Sequence, residues 1–488
     1  MARLKKICLS LYNTETKKKE TIVGSNPEKF CLYTCGPTVY DYAHIGNFRT
    51  YIVEDLIRRT LLYLKFPVFQ VMNITDIDDK TIQKALEKNI TLQQYTYPYT
   101  QAFFEDLDTL QIQRAEEYPR ATHFILEIIA MIERLILQEK AYCRDGNVFF
   151  NIRKFPSYGR LSHLNMSDLK MGASGRLDRD EYSKESISDF VLWKAYDRAR
   201  DGNIFWESPF GPGRPGWHIE CSAMAHALLG ESIDMHMGGV DNIFPHHENE
   251  IAQSESCFKT QFVRYWVHVE HLLVDGKKMS KSLGNFYTLR DLTNLGFTGR
   301  EVRYSLLSAH YRMQYNFSLE NLKGSRSSLR RIDDFISRIR EIDIENSNST
   351  EASDAIQVMH HGFFDAIMDD LNIPRALAAL FDGIRDLHIL CDQLKVGKED
   401  ASNILTIFES FHTILGIFSL QATHEIPADV MHAFEKRNQA RLVKDYAKSD
   451  EYRDYILSQG YLIEDSKDGS SKVRKSALRN LREALERE

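Results

Sequence analysis

The sequence has no apolar run long enough to cross a membrane as a helix, which takes about 20 residues. The first residues include basic side chains but no hydrophobic stretch of the kind that forms a secretion signal. Of the 488 residues, 43% are hydrophobic and 27% are charged, which is typical of a globular protein with several domains. We therefore expect a cytoplasmic protein with at least one large core.

The cysteines do not form the pattern of a disulfide-stapled protein. There are seven, an odd number, and they are widely scattered in a large chain. Reduced thiols are therefore the expected state, and a cysteine with a special role would be a metal ligand or a nucleophile. The seven are Cys8, Cys31, Cys35, Cys143, Cys221, Cys257 and Cys391.

An excess of positive charge is absent as well. The chain has 62 Lys and Arg against 69 Asp and Glu, a net charge of −7. This balance argues against a protein that coats nucleic acid non-specifically, because such binding neutralises many phosphates. It leaves open a local basic face for one RNA. Residues 472–482, with five basic and no acidic side chains, are either such a contact or, more commonly, solvated surface.

The stretch from Phe30 to Arg49 organises the rest of the chain. Residues 30–34 are apolar and β-rich, which predicts a buried strand, and Cys35-Gly36-Pro37 ends it with turn residues. Residues 68–74 predict a second strand, so the segment is a strand–helix–strand unit of a parallel sheet. The helix between them is predicted from apolar residues at helical spacing, namely Val53, Leu56, Ile57, Leu61 and Leu64.

Two short motifs point to phosphate chemistry. His44-Ile45-Gly46 precedes the predicted helix, where free backbone N–H groups favour a bound phosphate, although an ordinary turn is the alternative for one His-x-Gly. Lys278-Met-Ser-Lys281-Ser282 lies in a Gly-flanked loop. Its lysines suit the charge that develops on a leaving pyrophosphate, and the alternative is a solvated lysine loop.

Together and in this order, the two motifs resemble the HIGH and KMSKS motifs of the class I aminoacyl-tRNA synthetases. The fourth HIGH position is Asn47 in place of His, which keeps a side chain that can form hydrogen bonds. The resemblance implies a Rossmann-like catalytic domain that binds ATP with Mg²⁺. It gives catalytic roles to His44, Lys278 and Lys281, and nucleotide contacts to Gly46, Asn47, Lys281 and Asp241.

Four further residues have side chains suited to a metal. Cys35 and Cys221 offer thiolates, while His246 and Glu250 are four residues apart and share one face of a predicted helix. Two sulfurs with one nitrogen and one oxygen suit Zn²⁺. Spacing alone is weak evidence, because buried structural cysteines are common.

The sequences around these four residues resemble the cysteinyl-tRNA synthetase family. They are Thr-Cys-Gly-Pro-Thr-Val-Tyr-Asp at Cys35, Gly-Trp-His-Ile-Glu-Cys-Ser-Ala-Met at Cys221 and Phe-Pro-His-His-Glu-Asn-Glu at His246. The family implies one Zn²⁺ that binds the thiolate of the substrate cysteine and so rejects serine. It also implies a pocket lined by Gly36, Thr75 and Trp217, although core packing is the alternative for Thr75 and Trp217. His247 is predicted to be a support or surface histidine.

The family also implies an organisation for the whole chain. We expect an α/β catalytic domain in two halves, 1–114 and 209–295, separated by an inserted subdomain at 115–208. A helical bundle at 296–426 and a small anticodon-side module at 427–488 would follow. The implied partners are tRNA(Cys), cysteine and ATP, acting on a monomer.

Two other functions remain possible from the sequence alone. One is a ligase that joins cysteine to an amino sugar, and the other is a zinc or nucleotide sensor without catalysis. The first would lack a tRNA-reading end, and the second would have lost a metal ligand or a loop lysine.

Overall fold

The computed structural model describes residues 8–164, 189–280, 284–345, 349–420, 427–459, 461–465 and 471–475. The chain forms two compact units. One consists of Met1–Leu289 with Arg300–Ile417, and the other consists of Arg290–Gly299 with Phe418–Glu488. No helix among the described residues is long and apolar enough to span a membrane.

Fifteen strands are found in the described residues. They are β1 (Ser10–Asn13), β2 (Lys18–Thr21), β3 (Phe30–Thr34), β4 (Val68–Met72), β5 (Ala141–Arg144), β6 (Asn147–Phe150), β7 (Phe190–Ala195), β8 (Gly213–Pro215), β9 (Ile233–Gly239), β10 (Val263–Val269), β11 (Leu272–Val274), β12 (Lys277–Lys278), β13 (Tyr315–Phe317), β14 (Tyr461–Asp465) and β15 (Ser471–Lys475).

A parallel sheet with the order β10-β9-β3-β4 is the centre of the larger unit. Every neighbouring pair in it is parallel, and Thr34 of β3 lies opposite both Met72 of β4 and Met237 of β9. All five residues of β3 are buried, as expected for a central strand covered on both faces. The predicted α/β class with a parallel sheet is confirmed.

The helices of the described residues are α1 (Ile45–Tyr63), α2 (Asp79–Lys88), α3 (Leu92–Thr109), α4 (Ile125–Leu137), α5 (Arg198–Asp201), α6 (Trp217–Leu229), α7 (Glu248–Phe258), α8 (Leu289–Asn294), α9 (Gly299–Leu307), α10 (Leu319–Arg340), α11 (Thr350–Met368), α12 (Ile373–Asp392), α13 (Lys398–Leu415), α14 (Ala428–Leu442) and α15 (Tyr446–Ser458). An irregular turn, Ile243–His247, in which Phe244 is extended, leads into α7.

The first helix begins earlier than its apolar spacing predicted. His44 is its N-cap, so Ile45 and Gly46 belong to the first turn instead of preceding the helix. The helix is buried on nearly every side from Phe48 to Leu61, including charged residues such as Arg49. Because the core surrounds it, no single apolar stripe marks where it starts.

An antiparallel sheet with the order β5-β6-β7-β8 lies between the strands of the parallel sheet in sequence. Its inner side packs with α4, α6 and α7 around Phe150, Phe190 and the fully buried Trp193. Gly216, the residue before α6, packs against β7, because a Cβ there would lie 2.3 Å from the carbonyl oxygen of Val191. This close approach fixes the start of α6, the helix that carries Cys221.

The helices from α9 to α13 pack beside α1 in the same unit. Asp55 of α1 accepts hydrogen bonds from Arg59 and from the buried Arg303 of α9, and Arg303 also donates to the carbonyl oxygen of Leu415. In the second unit, α14 and α15 pack with the β14–β15 hairpin. Their hydrophobic cluster consists of Val430, Ala433, Ile456, Tyr461 and Val473.

Candidate active site

The predicted site residues gather at one edge of the parallel sheet. Because β3, β4 and β9 are parallel, the loops that follow Thr34, Met72 and Gly239 leave the sheet on the same side. Ligands of open α/β sheets bind at this carboxyl edge. These three loops carry Cys35, the segment 73–78 and the approach to His246.

The four proposed metal donors meet in space. Ligand atoms of Cys35, Cys221, His246 and Glu250 all lie within 4.8 Å of one another. Cys221, His246 and Glu250 are fully buried, Cys35 is half-buried, and neither cysteine is in a disulfide. Glu250 Oε1 lies 3.0 Å from His246 Nε2, as predicted for residues four apart in sequence.

The electrostatics of this cluster favour a bound cation. The hydrogen bond from Cys35 lowers the pKa of Cys221 to about 6. Although burial opposes ionisation, His236 and His246 lower the pKa of Glu250 to about 2. Burial likewise opposes a charge on His246, but Glu250 and Cys221 raise its pKa to about 10. At neutral pH the cluster therefore holds two buried anions, Cys221 and Glu250, beside a protonated His246, and a bound metal ion would replace the His246 proton as their positive partner.

Several histidines surround the donors, and of these only His247 was singled out from the sequence. His247 is fully buried and its Nε2 lies 3.3 Å from Cys35 Sγ, so the surface alternative for this residue is wrong. His236 Nε2 lies 3.0 Å from Glu250 Oε2. Cys35, His236, His247 and Glu250 form a second group of atoms within 4.8 Å, which shares two members with the first.

These histidines belong to different strands and helices. His247 Nδ1 lies 2.8 Å from His268 Nε2 of β10, while His218 Nδ1 of α6 lies 2.9 Å from His246 Nδ1. Burial lowers the pKa of His247 well below its usual value and that of His268 to about 3. The signal that could have revealed them is a histidine inside an otherwise buried strand, at position 236 in β9 and 268 in β10.

The residues proposed to line the cysteine pocket lie next to the donors. The ring of Trp217 stacks on that of His246, with centroids 4.2 Å apart. Thr75 is 1% exposed, accepts a hydrogen bond from the Asn73 side chain at 3.1 Å, and pairs through its backbone with Pro37 and Val39. The turn after β3 and the loop after β4 therefore form one connected wall.

Gly36 joins these two loops where they are closest. Its N–H donates to Asn73 Oδ1 at 2.9 Å. A Cβ at this position would lie 1.7 Å from the carbonyl oxygen of Asn73, which leaves no room for any side chain. Gly36 thus permits the contact that brings Cys35 and Thr75 together.

His44 and Asn47 cap α1 reciprocally. The backbone N–H of Asn47 donates to His44 Nδ1 at 3.2 Å, and the backbone N–H of His44 donates to Asn47 Oδ1 at 3.2 Å. Because Nδ1 accepts, the proton of the neutral ring is on Nε2, where it can be donated to a ligand. The Asn at the fourth motif position therefore orients the His at the first.

The loop that begins with Lys278 lies against this cap. Residues His44 and Thr288 form an antiparallel bridge, and Ile45 N donates to Tyr287 O at 3.0 Å. The rings of His44 and Phe286 are 5.3 Å apart, and a Cβ on Gly46 would lie 3.3 Å from Met279 Cε. The two motifs, distant in sequence, are thus neighbours.

Asn285 holds the two ends of the loop. Its side chain donates to the carbonyl oxygen of Lys278 at 3.2 Å and accepts from the N–H of Ser280 at 2.9 Å. Lys278 itself is exposed at the end of β12. Lys281, to which the sequence assigned the pyrophosphate contact, lies outside the described residues, as does Ser282.

Two acidic residues complete the edge. Asp241 is exposed just after β9, and a Cβ on Gly239 would lie 2.3 Å from its Oδ1, so the carboxylate folds back over the end of the strand. Glu54 of α1 is fully buried, and its two oxygens have no hydrogen-bond partner among the described residues. Burial raises the pKa of Glu54 well above its usual value.

Comparison with known proteins decides the family. Residues 21–327 match the model of the class I tRNA synthetase (C) catalytic domain, and residues 362–419 match the DALR domain. The cysteine–tRNA ligase of Protochlamydia amoebophila (strain UWE25) is 54% identical over 96% of this chain and 98% of its own length. That of Chlamydia felis (strain Fe/C-56) is 56% identical over the same shares. This chain belongs to the cysteine–tRNA ligase family. It is therefore an enzyme of the aminoacyl-tRNA synthetase class.

The fold of this family member is similar to that of solved synthetases. Two structures of Mycobacterium tuberculosis methionyl-tRNA synthetase with methionyl-adenylate align at TM-scores of 0.58 and 0.60, with 16% and 14% sequence identity. The alignments cover 79% and 86% of this chain and 89% and 96% of theirs. At that identity they support the class I fold alone.

Proposed function

We propose that this chain activates cysteine with ATP and transfers the cysteinyl group to the 3′ end of tRNA(Cys). The observation that carries the proposal is the meeting of four metal donors with the His44 cap and the Lys278 loop at one sheet edge. The relatives named cysteine–tRNA ligase also match 96% of the chain, including the C-terminal part that an amino-sugar ligase would lack.

Zinc is the metal that the donors fit. Two thiolates with one imidazole and one carboxylate suit Zn²⁺ better than the group with one thiolate and two imidazoles, so we assign the ion to Cys35, Cys221, His246 and Glu250. Glu250 belongs to both groups, and His236 would hold its second oxygen in place. When bound, Zn²⁺ would supply a site for the sulfur of cysteine that the hydroxyl of serine fills poorly.

The pocket residues would bind the rest of the amino acid. Trp217 and Thr75 border the donors, and Gly36 joins the turn that carries Cys35 to the loop that carries Thr75. In this geometry the carboxylate of cysteine is free to attack the α-phosphate of ATP, which releases pyrophosphate. Position and orientation of the two reactants would account for much of the rate.

The nucleotide would be bound by the cap and the loop. His44 can donate from Nε2 to a phosphate oxygen, and the first turn of α1 offers backbone N–H groups at Gly46. Asn47 would orient His44, and Asp241 would accept from a hydroxyl of the nucleoside. Lys278 and Lys281 would neutralise charge on the triphosphate, which reaches the site with Mg²⁺.

We extend the proposal to the whole chain in coarser terms. The domain boundaries given above and a monomeric state remain predictions. The DALR domain, residues 362–419, and the module that starts at α14 would bind the tRNA away from the chemistry. We expect the protein to charge tRNA in the cytoplasm.

The test is ATP–pyrophosphate exchange with each of the twenty amino acids in turn, followed by charging of tRNA(Cys). We expect exchange with cysteine alone and transfer to tRNA but not to glucosamine. Exchange with another amino acid, or transfer to the amino sugar, would contradict the proposal. Zinc binding without any exchange would instead indicate a sensor.

A further inference from the structure

A pocket of about 340 Å³ opens beside the candidate active site, and nothing above assigns it a ligand. It lies between the turn after β3 and the helices α2 and α3. Its lining residues are three lysines, three tyrosines, one acid and one amide, namely Lys80, Lys84, Lys88, Tyr40, Tyr95, Tyr99, Asp41 and Gln83. We call it the Lys–Tyr pocket.

The lysines of the pocket face one direction. They are four residues apart on α2, so they lie along one face of that helix. All three are exposed, and Lys84 also pairs with Glu87 at 2.9 Å. Against the single carboxylate of Asp41, the wall has an excess of positive charge, which suits a ligand with more than one phosphate.

Tyr40 and Tyr99 give the same pocket partly exposed aromatic rings, while the ring of Tyr95 is buried. Lys80 Nζ lies 5.0 Å from the ring centre of Tyr40, and Lys88 Nζ lies 5.2 Å from that of Tyr95. Tyr99 packs 5.4 Å from Tyr95, whose hydroxyl donates to the carbonyl oxygen of Tyr40 at 2.7 Å. Alternating cations and aromatic rings are the features with which proteins bind single-stranded nucleic acid.

The position of the pocket connects it to the reaction. Tyr40 is four residues before His44, so their Cα atoms are at most about 14 Å apart. The helix α2 begins after the same loop, 73–78, that carries Thr75. A strand whose last ribose reached the candidate active site would therefore pass this pocket.

We propose that the Lys–Tyr pocket binds the unpaired nucleotides that precede the terminal adenosine of the tRNA. The lysines contact the phosphates, and Tyr40 and Tyr99 stack on the bases. This inference rests on the proposed function, since it takes the tRNA as the acceptor. It concerns only the acceptor end and requires nothing of the C-terminal module.

The first test changes two lysines. In the Lys84→Gln/Lys88→Gln variant we expect the KM for tRNA(Cys) to rise about tenfold, while ATP–pyrophosphate exchange stays within twofold of the unmodified enzyme. The slope of log affinity for tRNA against log salt should flatten by about 1.4, because each lost contact to a single-stranded phosphate contributes about 0.7.

A matched control is Lys18→Gln. Lys18 is also exposed, but it lies in the β1–β2 hairpin, which joins β10 at the opposite edge of the sheet through Thr14 N and Trp266 O. Its KM and its salt slope should not change. Equal changes of KM and salt slope in the control and the double variant would indicate general attraction of tRNA to positive charge. That result would contradict the proposed role of the Lys–Tyr pocket.

The second test separates stacking from charge. Tyr99→Leu keeps an apolar side chain but removes the ring, and we expect at least a fivefold weaker binding of a fluorescein-labelled single-stranded RNA ending in ACCA. Binding of a blunt RNA duplex should not change. Circular dichroism of each variant checks that the fold is intact.

The outcomes distinguish this inference from the function on which it rests. If the unmodified enzyme exchanges pyrophosphate with cysteine but never charges tRNA, the proposed function is wrong. Whether the Lys–Tyr pocket binds single-stranded RNA is then tested by RNA oligonucleotide binding alone. If charging by the double variant is normal, the inference is wrong. If exchange and charging fall together, the pocket serves ATP and the inference is again wrong.

Discussion

Cys221 has a buried thiol with a pKa of about 6, and its role can be tested directly by substitution. Cys221 is ionised at neutral pH, and it lies with Cys35, His246 and Glu250 in one group of donor atoms. Replacing Cys221 with Ser should remove the bound zinc, because a neutral hydroxyl is a poor ligand for this ion. We expect less than one tenth of the zinc by atomic absorption after dialysis.

The control for Cys221→Ser is Cys257→Ser in α7. Cys257 is equally buried but lies outside the donor group, so its substitution should leave the zinc content unchanged. Loss of zinc in both variants would indicate unfolding instead of a lost ligand. Full zinc content and unchanged cysteine affinity in Cys221→Ser would exclude it from the site.

A second prediction at this scale concerns Lys281. Replacing it with Ala should slow adenylate formation by roughly 10²–10³-fold, the usual effect of losing one group that stabilises charge in the transition state. Binding of cysteine should hardly change, because the lysine acts on pyrophosphate. Single-turnover kinetics would measure both.

Lys277→Ala is the matched control for Lys281→Ala. Lys277 is exposed on the short strand β12, one position before the motif. The rate of adenylate formation by Lys277→Ala should remain within a few-fold of that of the unmodified enzyme. A weaker affinity for cysteine in Lys281→Ala with an unchanged rate would show that the assigned role is wrong.

At the scale of elements, a charged cluster ties β8, the strand before the helix that carries Cys221, to α2. Arg214, in β8, donates to Asp201 at 3.1 Å and also binds Asp79 of α2. Asp201 accepts two further hydrogen bonds from Arg200. Arg214 and Asp201 are fully buried, so removal of the Asp201 charge leaves the Arg214 guanidinium with Asp79 alone as an acidic partner among the described residues.

We therefore predict that Asp201→Asn costs about 3 kcal/mol of unfolding free energy at pH 7. Burial opposes ionisation, but Arg200 and Arg214 hold the pKa of Asp201 below its usual value of about 3.9. The native state thus binds fewer protons than the unfolded state in this range. Its contribution is complete above about pH 4 and is lost as the pH falls through the lower native pKa.

Urea unfolding from pH 7 down to pH 3 would measure this effect. The difference between Asp201→Asn and the unmodified protein should shrink as the pH falls below about 4. The exposed Asp145→Asn is the control and should stay within about 0.5 kcal/mol at every pH. A difference that is constant with pH would mean that packing, and not charge, is responsible.

The helices and strands also show which parts of the fold and of the candidate site could be predicted from the sequence. The strand at 30–34 and the helix that begins at Trp217 were predictable, because strand composition and turn residues are local. The start of α1 was not, because the core surrounds that helix. The meeting of the four proposed donors was predictable from their flanking residues, whereas the only sequence signal for His236 and His268 was a histidine inside a buried strand.

At the scale of the whole molecule, the groups assigned to ATP, zinc and cysteine all belong to residues 30–290. The module that contains α14, α15 and the β14–β15 hairpin has a hydrophobic cluster of its own. If it binds the tRNA, it contributes affinity and register rather than chemistry. Binding and catalysis should then be separable by truncation.

A chain that ends at residue 425 should still exchange pyrophosphate with ATP in the presence of cysteine. It should charge tRNA far more weakly, mainly through a higher KM for tRNA, and its tRNA binding should depend less on salt. Both activities should be measured on one preparation. Equal loss of both would make the module a structural support, and undiminished charging would mean that it does not read RNA.

The bridge between His44 and Thr288 also sets an order of events during synthesis. On the ribosome, β3 is synthesised about 200 residues before its neighbour β9. Cys35 is therefore made well before Cys221, His246 and Glu250. The last metal donor, Glu250, precedes Thr288 by 38 residues. At translation rates of about 5–20 residues per second, the four proposed metal donors are therefore all synthesised roughly 2–8 seconds before Thr288, the partner of His44.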